Sequence, residues 1–122
     1  MTDYDALGGR EAVAVLVERF VHRAAKDMII GFFFDGKDLG RIVFHETELA
    51  CLQLGGPSVY TGKSMESAHK PLKINRGQFR RRLAILRTTL IESGVAPEIV
   101  ARWVRLNQAE EHKVVIDRDC VD

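Results

Sequence analysis

The segment Thr61-Gly62-Lys63-Ser64-Met65-Glu66-Ser67-Ala68-His69-Lys70, followed by Pro71-Leu72, is the most telling stretch of the chain. At helical spacing it presents Met65, Ala68, His69 and Leu72 on one side, so an imidazole stands in an apolar row. Pro71 removes a backbone donor and biases Lys70 away from helical dihedrals. A helix here must therefore start near Ala68, with Pro71 in its first turn, or kink. From periodicity alone His69 is either a metal ligand or, more ordinarily, a hydrogen-bonded structural histidine.

Outward from this segment the chain reads as helical. Val13, Leu16, Val17, Phe20, Val21 and Ala24 form one helix stripe, preceded by a chain reversal at Gly8-Gly9. Leu39, Ile42, His45, Leu49 and Leu52 form a second stripe, closed by Gly55-Gly56-Pro57. Phe79, Leu83, Leu86 and Leu90 form a third, closed by Gly94. A fourth helix starts at Pro97 beside Glu98, carries Ile99, Val100, Trp103 and Val104, and is expected to run to about Val115. Met28-Ile29-Ile30-Gly31-Phe32-Phe33-Phe34 has strand-like composition but no partner run, so a short helix or helical turn is expected.

These 122 residues suit one domain, 1–122, with one core. Apolar residues make up 46% and charged residues 29%, as in a soluble globular chain. No apolar run is long enough to span a membrane, and the acidic Met1-Thr2-Asp3-Tyr4-Asp5 lacks the apolar stretch of a secretory signal. A net charge of +1 gives no general attraction to nucleic acid, and Arg80-Arg81-Arg82 reads as a solvated helix face. Cys51 and Cys120 fit neither a CxxC pair nor a disulfide frame. Two free thiols and a cytoplasmic setting are expected.

The four histidines, His22, His45, His69 and His112, have no close zinc spacing. Haem iron, by contrast, needs only one or two protein ligands, together with an apolar slot. Phe20, Phe32, Phe33, Phe34, Ile42, Leu49, Leu52, Met65 and Leu86 are able to line such a slot, or simply to form a core.

The order of motifs adds to this reading. Tyr4-Asp5-Ala6-Leu7-Gly8-Gly9, Phe20, Phe33-Phe34, His45, Leu54-Gly55-Gly56, the Thr61–Lys70 segment, Gly94-Val95-Ala96-Pro97-Glu98 and His112-Lys113 together resemble the group 1 truncated haemoglobins over residues 3 to 115. The resemblance implies an all-α, two-over-two helical sandwich around haem b. It makes His69 the proximal iron ligand, with Met65 and Leu72 packing on that face. Phe34 matches the aromatic that stacks on the porphyrin, and Arg41 and Lys63 fall where basic side chains reach propionates.

The distal side departs from the family pattern. Val21 stands where many relatives carry a tyrosine, and Ile42 where many carry a polar residue, often glutamine. Neither donates a hydrogen bond. His45, one turn beyond Ile42, matches a histidine that ligates iron distally in some relatives. The resemblance therefore implies resting ligation by His45 and His69. Glu46 falls near the pocket, able to hydrogen-bond a distal ligand or to face water. His112 stands 18 residues after Gly94, as does a histidine that bonds to a haem vinyl group in some relatives. His22 lies off the apolar stripe and reads as surface.

The function so implied is binding of diatomic ligands such as oxygen and nitric oxide, electron cycling, or both. Nitric oxide dioxygenase or peroxide chemistry is a possible enzymatic role, and an unidentified reductase is the expected partner for turnover. The rival reading is a haem-free helical regulatory module that keeps a globin scaffold.

Overall fold

The computed structural model describes residues 1–57 and 74–115. Every regular element among them is helical. Helix α1, Asp3–Leu7, is a stub whose Thr2 and Asp5 form a reciprocal capping box. The chain then reverses through Gly8 and Gly9, at φ +111° and +86°, a left-handed region that favours glycine. Helix α2, Arg10–Ala25, buries the six residues of the expected stripe. A 3₁₀ turn, Gly31–Phe34, occupies the aromatic run.

Helix α3, Leu39–Gln53, is capped by Asp38. Helix α4, Arg76–Glu92, begins with a capping box between Asn75 and Gln78. Helix α5, Pro97–Gln108, has its proline in the first turn, where the missing N–H costs nothing.

Helix α2 packs on α3 and on α4, and α4 packs on α5. The pairs α2–α3 and α4–α5 thus form a two-over-two sandwich. Its core joins Val13, Val17 and Phe20 to Ala50, Cys51, Leu86, Leu90, Val100 and Trp103. Each large side chain so buried contributes about 1.5–3 kcal/mol. Val95 and Tyr4 pack on its margin.

Three sequence expectations need correction. The fourth helix does not run unbroken to Val115: it stops at Gln108, and a separate short helix α6, Glu111–Val114, follows. The break brings the Glu111 carboxylate within 3.4 Å of Arg76 and 3.7 Å of Arg80, back across α4. The deepest face of α3 is Thr47, Ala50 and Cys51, continued by Leu54, rather than the Leu39–Leu52 stripe. Ile42, His45 and Leu49 are half-buried, and Leu52 is exposed. Finally, the triple arginine is not one solvated face. Arg80 is exposed and Arg81 is tied to Asp27, but Arg82 is buried.

Candidate functional site

The 47/50/51/54 face of α3 is turned into the core, and beside it the row of Ile42, His45, Glu46, Leu49 and Gln53 is half-buried, with Ile42 packing on the main core and Leu49 on a second apolar cluster. Glu46, Leu49 and Gln53 line a crevice with Val17 and Phe20 of α2 and Arg82 and Leu86 of α4. Trp103 and Asn107 of α5 close its far side. Phe20, Leu49 and Leu86, assigned to a haem slot from the sequence, are therefore brought together. Val21 is buried beside Phe20 on α2, and Ile42 lies half-buried on α3. Neither brings a polar atom.

The polar side chains of the crevice, Glu46, Gln53, Arg82 and Asn107, form one hydrogen-bonded network around Arg82. Its Nη2 donates to Glu46 Oε1 at 3.1 Å and to Asn107 Oδ1 at 3.5 Å. Its guanidinium lies over the Phe20 ring, 4.9 Å from the centroid. The Asn107 amide donates to the Trp103 carbonyl at 3.2 Å and to Gln53 Oε1 at 3.5 Å, which turns its oxygen toward Arg82. Glu46 thus faces the crevice rather than water. Sequence reasoning missed Arg82, although its position held the signal. It lies three residues after Phe79 and four before Leu86, at the edge of the apolar stripe.

The aromatic turn is held from both ends. Asp27 Oδ2 accepts from the backbone N–H groups of Ile29 and Ile30, and Oδ1 accepts from Arg81 of α4 at 2.5 and 3.0 Å. The Arg81 hydrogen bond is the main reason the Asp27 carboxyl is held down at about 2. Among the described residues, Phe33 packs against both apolar clusters, bridging them, and Phe34 packs against the main core. Phe32 stacks on Phe33 but is exposed, so it belongs to the surface rather than to a slot lining.

Among the remaining candidates, Arg41 is exposed near the start of α3 and His112 is exposed on α6. His22 is exposed and lies 4.0 Å from Glu18. Cys51 is a buried free thiol whose pKa burial pushes up. Lys63, Met65, His69, Leu72 and Cys120 lie outside the described residues.

The residues present fit a haem. The α3 row offers half-buried hydrocarbon on both sides of an imidazole, and the adjoining crevice is walled by Phe20, Leu49 and Leu86. No cluster of three or more metal-ligating side chains occurs among the described residues. A cofactor that brings four of its own nitrogens to the iron needs none.

Comparison with known proteins agrees. Residues 2–114 match the model of the bacterial-like globin family. A group 1 truncated haemoglobin of Mycolicibacterium paratuberculosis is 35% identical over 98 residues, covering 80% of this chain and 72% of the relative. The truncated haemoglobin of Tetrahymena pyriformis in its Fe(III) form superposes with a TM-score of 0.87 at 27% identity, over 94% of this chain and 98% of that one. The two-over-two haemoglobin of a Synechococcus species, solved in the cyanomet state with covalently attached haem, gives 0.85 at 26% identity, over 93% and 95%. The chain belongs to the group 1 truncated haemoglobins, and is a haem-binding globin.

Proposed function

We propose that this globin binds small diatomic ligands, oxygen and nitric oxide among them, under competition from its own His45. The observation that carries the reading is the half-buried position of His45 on the α3 row, between Ile42 and Leu49, where Val21 and Ile42 offer no donor. By its match to the family motif, His69 would be the proximal ligand, with Met65 and Leu72 as its apolar neighbours. When bound, haem supplies an iron that takes diatomic ligands and changes oxidation state.

The chain's own residues set the conditions. Phe20, Leu49 and Leu86 supply an apolar wall, and Phe34, by its match to the family, would stack on the porphyrin. Arg41 and Lys63 would hold its propionates. With haem bound, His45 would compete for the iron, so its departure would gate entry of an outside ligand. Two imidazoles able to hold the iron, His45 and His69, would also suit electron transfer with a reductase.

Haemin titration of the purified protein tests the reading. We expect a Soret band that saturates at one haem per chain. No Soret band would leave the haem-free regulatory module as the better description.

A further inference from the structure

Arg82 carries more hydrogen-bonding capacity than its ion pair uses. A guanidinium has five N–H donors in a fixed fork. Among the described residues, both hydrogen bonds from Arg82 come from Nη2, so Nε and Nη1 donate to no described residue. Yet the side chain is only 9% exposed, and it lines the same crevice as Phe20, Leu49 and Leu86. Neither nitrogen is a fully buried atom without a partner, so this edge reaches accessible space in the crevice that Arg82 lines. Glu46 pins one nitrogen, and the ring of Phe20 fixes the plane. The remaining donor edge is held in place in a crevice where Phe20, Leu49, Leu86 and Trp103 stand beside Glu46, Gln53 and Asn107.

We infer that Arg82 is the distal hydrogen-bond donor of this globin, serving a small ligand with an anionic or partly negative acceptor atom in place of the hydroxyl that α2 lacks at Val21. Glu46 and Asn107 are its positioning residues. The inference rests on the haem reading above.

The test uses haem-loaded protein carrying His45→Ala, so that no imidazole competes. Fluoride affinity of the ferric form and carbon monoxide affinity of the ferrous form are read by optical titration with Arg82, Arg82→Met and Arg82→Lys. The stretching frequency of bound carbon monoxide is read alongside. A charge-assisted hydrogen bond to fluoride is strong, whereas bound carbon monoxide accepts only weakly. Arg82→Met is expected to lose about tenfold or more in fluoride affinity, with carbon monoxide changed by about twofold or less. The stretching frequency should rise, and Arg82→Lys should recover part of the fluoride affinity.

Because Arg82→Met leaves the Glu46 carboxylate without its cation, Glu46→Gln/Arg82→Met is measured in parallel and should show the same fluoride loss. Equal fluoride affinities in a protein that retains its Soret band would overturn this inference alone. Failure to take up haem at all would overturn the haem reading and this inference with it.

Discussion

Arg82 of α4 donates to Glu46 of α3 at 3.1 Å, and the same guanidinium lies 4.9 Å from the centre of the Phe20 ring on α2. One side chain thus ties three helices around the crevice. Both partners are largely shielded, at 9% and 17% exposure. Removing one partner of such a pair strands the other charge, which costs about 3–5 kcal/mol, whereas replacing both with apolar residues is close to neutral. Arg82→Met should therefore lower the urea midpoint sharply, and Glu46→Leu/Arg82→Met should restore most of the loss. A single variant as stable as the parent would show that the pair is not shielded as described.

Asp27 makes the fold sensitive to acid. Its carboxyl sits at about 2 in the folded chain against an ordinary 3.8, chiefly because Arg81 hydrogen-bonds to it. The depressed value means that the unfolded chain takes the proton first. The stabilisation is complete above 3.8 and is lost as the pH falls through about 2. Asp27→Asn removes this contribution. Its stability deficit in acid titrations followed by circular dichroism should be full near neutrality and should shrink below pH 3.8.

Gly31 opens the aromatic turn under tight backbone contact. A methyl group built there would meet the Ala25 carbonyl oxygen at 2.7 Å, and a backbone atom cannot swing aside. Gly31→Ala should cost about 1–3 kcal/mol in thermal or urea unfolding. It should also disturb Phe33 and Phe34, visible as a change in near-ultraviolet dichroism.

His112 is exposed on α6, and we predict that it bonds to a haem vinyl group. Such attachment forms one nitrogen–carbon bond, consumes the vinyl double bond and leaves the proton on its second carbon. After reduction of haem-loaded protein, acidic organic solvent should leave haem with the chain, and His112→Ala should release it. Complete extraction from the parent protein would refute attachment under those conditions.

Much of the scaffold was legible because burial repeats with the helix. The α2 stripe from Val13 to Ala24 is buried as its spacing required, and Pro97 marks the start of α5. What periodicity missed depends on partners distant in the chain. The core face of α3 lies at Thr47, Ala50 and Cys51, because α2 packs there, and a stripe cannot announce its partner. Arg82 looked like surface because neighbouring arginines are surface, and its carboxylate partner lies 36 residues away. The break after Gln108 has the same origin, since Glu111 turns toward Arg76 and Arg80. At the site, Phe20, Leu49 and Leu86 were legible as apolar positions, while Asn107 was not, because its role comes from Arg82 and Gln53.

Resting ligation by His45 is tested most directly by the optical spectrum of the ferric haem-loaded protein at neutral pH. We expect a low-spin spectrum in the parent and a high-spin spectrum in His45→Ala. A parent protein already high-spin, with a spectrum that His45→Ala leaves unchanged, would contradict distal ligation by His45.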